Sequence, residues 1–244
     1  MKILEAIEHY SSILESKRVE APRLSAELLI GHAASLTRSQ VLAGVHRVLT
    51  SSEQSRLDAL IQRRSLHEPI PYITGTVEFY SIPLSISRGV FIPRPETETL
   101  VDAALDIAAT LDHSPEILDL CTGSGCVLIA LALHLAEGRF WGTDASHLAM
   151  QVSRANVRRY ELQHRVELRE GPLFTPLRSE PAPLFDMLVS NPPYIKSGDI
   201  PKLAAQIKDF EPVLALDGGG DGMALIRRLL DGAPAVLKPG GSVL

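Results

Sequence analysis

The chain has 244 residues, 45% of them hydrophobic, and a formal net charge of −5. That length fits one large domain or a domain with a smaller companion, and the apolar content excludes a disordered polypeptide. The acidic balance argues against a protein built to coat nucleic acid, which usually carries a basic face.

The first elements read as helices. Ile3, Ala6, Ile7, Tyr10, Ile13 and Leu14 recur at the spacing of one helix face. Pro22 opens a second helix, with Leu24, Leu28 and Leu29 expected inward, and a third short helix follows Thr37. Ser51 with Gln54 resembles a capping box for a fourth helix running to about Leu66. Between Pro69 and Arg88 the pattern shortens and alternates, broken by Gly75 and Pro83. Phe79, Ile82, Leu84 and Ile86 there predict a β-hairpin.

Phe91-Ile92-Pro93-Arg94-Pro95-Glu96-Thr97-Glu98 follows, forced into an extended path by its prolines. It reads as a linker or as one wall of a site. Thr97 or Glu96 is expected to cap the helix carrying Leu100, Val101, Ala104, Leu105 and Ala108. From Glu116 onward strands and helices alternate. Strands are expected at Ile117–Leu120, Phe140–Thr143, Val166–Leu168 and Phe185–Ser190. Helices are expected at Val127–Leu135, Ala149–Tyr160 and Met223–Leu237. Such alternation predicts an α/β fold with a parallel sheet covered on both faces. Gly218-Gly219-Gly220 reads as a flexible loop entering the last helix. Lys238-Pro239-Gly240-Gly241 reads as a turn, after which Ser242-Val243-Leu244 opens a strand. The sheet is therefore expected to be cut short at Leu244.

Cys121 and Cys126 are the two cysteines and have no nearby histidine, while the eight histidines show no ligand spacing. Neither a disulfide framework nor a metal site is expected. The N-terminus lacks the pattern of a signal peptide, and the longest apolar run, Cys126 to Ala136, is too short to span a bilayer. A cytoplasmic setting without membrane association follows as an expectation.

Three segments carry chemistry. Asp119-Leu120-Cys121-Thr122-Gly123-Ser124-Gly125 lies between a strand and a helix, where two glycines let a ligand approach the backbone at the carboxyl edge of a sheet. It has no Lys-Ser ending, so it is not a phosphate-binding Walker loop. Asp144, at the end of the next strand, suits the two ribose hydroxyls of a nucleoside ligand; the competing role is a helix N-cap. Asn191-Pro192-Pro193-Tyr194 directly follows a strand. Its prolines donate no N–H, Asn191 adds a side-chain acceptor, and Tyr194 offers a flat face. These features suit a grip on a planar –NH2 group while an electrophile approaches from above.

Taken together, these segments resemble class I amino-methyltransferases, and more narrowly the HemK-like release factor glutamine methyltransferases. Pro71 through Gly75, Glu78-Phe79, Phe91 through Glu98, Leu216 through Gly222 and the helical front region share in the resemblance, which spans essentially the whole chain. It implies a Rossmann-like methyltransferase domain with a small N-terminal helical domain. The expected limits are 1–68 for a helical bundle that recognises the release factor, 69–94 for a hairpin linker, and 95–244 for the catalytic domain, truncated at its C-terminus. It implies S-adenosylmethionine as cofactor, with Cys121, Thr122, Gly123, Ser124 and Gly125 around the methionine part. Asp144 would take the ribose, Leu173 would lie beside the adenine, and Asn191 would border both cofactor and acceptor. Pro172 departs from the polar or acidic residue common in the family at its position.

Asn191, Pro192, Pro193 and Tyr194 would hold the acceptor, the N5 nitrogen of glutamine in the Gly-Gly-Gln motif of a release factor. The Asn191 side-chain oxygen and the Pro192 carbonyl would each accept one amide N–H. The partner expected is a release factor, with no direct nucleic-acid binding and a monomeric protein. Two other readings stand beside this one: methylation of an exocyclic amine on a nucleic-acid base, and a non-catalytic cofactor-binding scaffold.

Overall fold

The computed structural model describes residues 1–178 and 183–244. In chain order the elements are α1 (Ile3–Ser16), α2 (Pro22–Ala34), α3 (Arg38–Ala43), α4 (Ser51–Ser65), α5 (Ile70–Thr74), β1 (Thr76–Phe79) and β2 (Ile82–Ser85). Then come α6 (Glu98–Ala108), β3 (Glu116–Leu120), α7 (Cys126–His134), β4 (Arg139–Asp144), α8 (His147–Arg159) and β5 (Val166–Glu170). The last are α9 (Thr175–Arg178), β6 (Phe185–Ser190), α10 (Ala205–Lys208), α11 (Ala224–Gly232) and β7 (Leu237–Val243).

The chain divides into two units, Met1–Gly75 with Ala205–Phe210, and Thr76–Ala204 with Glu211–Leu244. In the first, the α1 stripe lands where its spacing puts it, with Ile3, Ile7, Tyr10 and Leu14 buried against Leu29, Ile30, Leu57 and Ile61. On α2 the inward face is Ala26, Leu29, Ile30 and Ala33, whereas Leu24 is exposed. The α4 cap is one residue earlier than the Ser51–Gln54 reading. Thr50 accepts from the Glu53 N–H and Glu53 accepts from the Thr50 N–H, closing a reciprocal capping box. Glu53 is also held by Arg47 at 2.7 Å, a partner that the competing box lacks. The start of the expected alternating segment is instead helix α5, whose Ile73 joins the first core. Arg64 is buried there, donating to the Glu68 and Glu20 carbonyls and to Gln206.

In the second unit, β1 and β2 form the expected hairpin, with Phe79 paired to Ile82. Its two-residue turn, Tyr80-Ser81, has both residues at positive φ, the geometry that matches strand twist without using glycine. The main sheet has the order β5-β4-β3-β6-β7 and all its pairs are parallel. Both faces are covered. Ile117, Phe140, Met187 and Val189 pack with α6, α7 and Val157, while Leu118, Leu120, Trp141 and Leu188 pack with Leu229 and Phe174. The strand expected to open at Ser242 already begins at Leu237. Lys238 through Gly241 belong to it rather than to a turn, with a register shift opposite Phe185 and Met187. Pro239 is tolerated because β7 lies at the edge of the described sheet. Among the described residues no helix is long and apolar enough to cross a membrane.

Candidate active site

Chain order reverses beside β3, since β4 lies on one side of it and β6 on the other. Such a switch point opens a crevice at the carboxyl ends of the strands. The register sets what meets there. Leu120 pairs with Thr143 on one side and with Ser190 on the other. The next residues outward are therefore Asp144, Cys121 and Asn191, side by side at the ends of three adjacent strands. The Ser190 hydroxyl donates to the Leu120 carbonyl at 2.6 Å and the Thr122 N–H to the Thr143 carbonyl at 3.0 Å, which ties this row together.

A cavity of about 210 Å³ covers the row. Of the residues expected at the site, Cys121, Thr122, Gly123, Ser124, Asp144, Leu173, Asn191 and Pro193 line it. Gly125, Pro192 and Tyr194 are not in its wall. Gly125 turns away to start α7, where an added Cβ would lie 2.6 Å from the Ser153 hydroxyl. Tyr194 is 60% exposed, and its backbone is the part that is fixed. An added Cβ at Gly222 would overlap the Tyr194 carbonyl oxygen, and one at Gly218 would lie 2.7 Å from the Tyr194 Cα. The glycine-rich loop expected to be flexible is thus a mould for the Asn191–Tyr194 segment, pinned by Gly218 N–H to the Ile195 carbonyl and by Asp217 to Ser197 and Gly219. Gly222→Ala is expected to slow catalysis by about tenfold or more through displacement of Tyr194, and to cost roughly 1–3 kcal/mol of stability. Cofactor affinity should stay near that of the parent, as steady-state rates set beside calorimetry will show.

Asp144 is pre-set for two acceptor bonds. Its Oδ2 takes the Gly123 N–H at 2.9 Å and its Oδ1 the Ser146 N–H at 2.8 Å. The N-cap role belongs to Ser146, whose hydroxyl accepts from Ala149 N–H at 3.3 Å. Gly123 has φ +58, and a Cβ there would meet nothing closer than 4.0 Å, so that side of the turn is open for a ligand. Cys121 also sits at positive φ; burial, aided by the Asp144 and Asp119 charges, pushes its thiol up to about 12, so it is neutral. Leu173 shares this backbone state, and its carbonyl accepts the Thr143 hydroxyl at 2.9 Å. Among the described residues no cluster of three His, Cys, Asp or Glu side chains has a metal-holding arrangement.

Three features sharpen or add to the reading from sequence. The first is the wall formed by Phe91, Pro93 and Thr97, in the segment read as a linker or as one wall of a site. Glu211, itself buried, holds that segment by accepting from Ile92 N–H at 3.2 Å and pairing with Arg94, whose guanidinium covers the Phe91 ring. Thr97 does not cap α6, and neither does Glu96. Instead the Thr97 hydroxyl accepts from Asn191 Nδ2 at 3.1 Å. The second is Asn156, buried, which donates to the Ser85 and Ser124 carbonyls and accepts from Ser85 N–H, tying the hairpin to the glycine turn.

The third is Asp119, 2% exposed and in the cavity wall, with Thr122 donating to it at 2.6 Å. Burial pushes its carboxyl up to about 7, the Thr122 hydroxyl opposes this, and the Asp144 charge adds to it. Because the folded protein holds this proton more tightly than the unfolded chain does, Asp119 costs stability progressively as pH rises from about 4 to about 7. Asp119→Asn is therefore expected to melt several degrees above the parent at pH 8, by roughly 2 kcal/mol. The gap should close below pH 4, which thermal melts across pH will check.

Residues 5–75 match the PrmC N-terminal domain and residues 97–220 the Methyltransferase small domain. The chain is 41% identical over 241 residues to the release factor glutamine methyltransferase of Koribacter versatilis, covering 99% of this chain and 84% of that protein. It is 40% identical over 243 residues to the corresponding protein of Moorella thermoacetica, covering 99% and 83%. A Rossmann-like α/β methyltransferase fold with a helical N-terminal unit, matched along nearly its whole length, places this chain in the release factor glutamine methyltransferase family.

Proposed function

We propose that this protein methylates the side-chain amide of a glutamine in a peptide chain release factor, using S-adenosylmethionine. The observation that carries the reading is the row Asp144, Cys121, Asn191 at the ends of three adjacent strands. It supports the reading by bringing a carboxylate, a glycine turn and an asparagine carboxamide to one crevice. The residues present fit the cofactor. Asp144 is oriented by two N–H donors, Gly123 leaves room, and half-buried Asp144 and buried Asp119 both line the cavity. Since β4 and β5 lie to one side of β3 and β6 to the other, Asp144, Pro172 and Leu173 would hold the nucleoside part, and Asn191 lies across the cavity from them for the acceptor.

When bound, S-adenosylmethionine supplies a methyl group on a positively charged sulfur. An amide nitrogen is a weak nucleophile because its lone pair is shared with the carbonyl. In this reading the Asn191 oxygen and the Pro192 carbonyl each accept one amide N–H and align the lone pair with the methyl. Exposed Tyr194 provides a flat face for the incoming loop. The nitrogen–carbon bond forms as the sulfur–carbon bond breaks, and the amide proton passes to solvent. Orientation and fixed dipoles supply most of the rate gain. Mass spectrometry of a release factor incubated with the protein and cofactor tests this: one added methyl is expected on the glutamine of the Gly-Gly-Gln loop. Transfer to a nucleic-acid amine in place of that glutamine overturns it.

A further inference from the structure

A carboxamide has two ends of similar shape and opposite hydrogen-bonding character, an oxygen that accepts and an NH2 that donates. A planar amide acceptor brings N–H donors to Asn191, so only the oxygen end grips it, and the reversed side chain would set donor against donor. The carboxamide must therefore be kept from turning, with its Nδ2 end engaged on the side away from the acceptor. We propose that Thr97 does this as a positioning residue for methyl transfer, an inference that rests on the glutamine reading above and assigns a role to the proline-rich segment before α6.

Three observations point to it. The Thr97 hydroxyl accepts from Asn191 Nδ2 at 3.1 Å, across 94 residues of chain, and Thr97 and Asn191 both line the cavity. Second, Thr97 has left the job its position would give it. Thr37 and Thr50 stand before helices with extended backbones, ψ 158° and 161°, and both cap with their hydroxyls. Thr97 also stands before a helix, but the tight turn Pro95–Thr97 puts it at ψ −15°, and it makes no cap hydrogen bond. Its hydroxyl is thereby turned over to Asn191. Third, the segment that carries it is braced at several points. Pro93 and Pro95 limit its backbone, Glu211 holds Ile92 and Arg94, and the Thr97 N–H donates to the Arg94 carbonyl at 3.0 Å.

The test compares Thr97→Val, which keeps the shape and removes the hydroxyl, with Thr97→Ser, which keeps the hydroxyl. Thr97→Val is expected to lower kcat on release factor at least tenfold. The KM for release factor and the Kd for S-adenosylhomocysteine by calorimetry should each shift less than threefold. Thr97→Ser should restore the rate to within threefold of the parent. In 15N-edited NMR spectra the Asn191 side-chain NH2 pair, assigned by its loss in Asn191→Asp, should exchange faster in Thr97→Val and not in Thr97→Ser. Equal kcat in Thr97→Val and parent, or equal losses in the two variants, overturns the proposal. If the parent transfers no methyl to glutamine, the functional reading fails on its own. The NMR comparison then still decides the Thr97 bond, and an unmoved Asn191 pair in Thr97→Val refutes it.

Discussion

Asn191→Ala is expected to reduce kcat by about a hundredfold to a thousandfold, the scale seen when one fixed dipole at a reacting centre is removed. Affinity for the cofactor should change little. The separation follows from the register. Asn191 follows β6, while Asp144 ends β4 and the glycine turn begins after β3. Removing the carboxamide leaves Asp144 with its two N–H partners and leaves the Leu120–Thr143 pairing untouched. What goes is the acceptor oxygen and the donor to Thr97. Asn191→Asp should lose less than Asn191→Ala, because a carboxylate keeps an acceptor for the amide and can take the Thr97 hydroxyl as a donor in place of the bond now made from Nδ2. Rapid-quench turnover together with calorimetry on both variants measures the two quantities separately. Equal losses in rate and cofactor affinity would mean that Asn191 serves the cofactor alone.

The largest effect on cofactor binding is expected from Asp144→Ala, about thirtyfold to a hundredfold weaker for S-adenosylhomocysteine. The carboxylate offers charged acceptors to two hydroxyls, each bond worth roughly 1.5–3 kcal/mol before compensation by water. Its orientation costs nothing at binding, since Gly123 and Ser146 already hold both oxygens. Deleting it also leaves those two N–H groups without their partner, so the variant should melt below the parent. Asp144→Asn keeps one acceptor and should fall between the two. Calorimetric titration at fixed salt gives the ranking, and an Asp144→Ala protein that binds like the parent would remove the ribose role.

How much of this was legible in the sequence depended on how local each signal was. The strand–helix alternation after Glu116 rests on spacing within single segments, so β3, β4, β5 and β6 fall where they were expected. Asp119 through Gly125 and Asn191 through Tyr194 were visible as motifs because their residue types are rare in that order. The misreadings arose where the deciding partner is distant or where two local readings overlap. Thr97 had the residue type and place of a cap, and Asn191 decided otherwise. Ser51–Gln54 and Thr50–Glu53 are capping boxes one residue apart, and Arg47 on Glu53 favours the second. Lys238 through Gly241 carry the composition of a turn, yet pairing with β6 draws them into an edge strand. Gly218-Gly219-Gly220 looked like a flexible run, and only the closeness of Tyr194 shows why side chains are excluded at Gly218 and at Gly222 beyond it. Asp119 stood within a recognised motif, but its burial, and hence its raised carboxyl, is a property of the packed sheet.

The central claim is that the crevice formed by Asp144, Cys121 and Asn191 delivers a methyl group to a protein glutamine. The most direct measurement is tandem mass spectrometry of an intact release factor after incubation with this protein and methyl-labelled S-adenosylmethionine, with Asn191→Ala run in parallel. The account predicts a single labelled methyl on the side-chain nitrogen of the Gly-Gly-Gln glutamine, nearly absent with the variant. Label on another residue, or equal labelling by parent and variant, would contradict it.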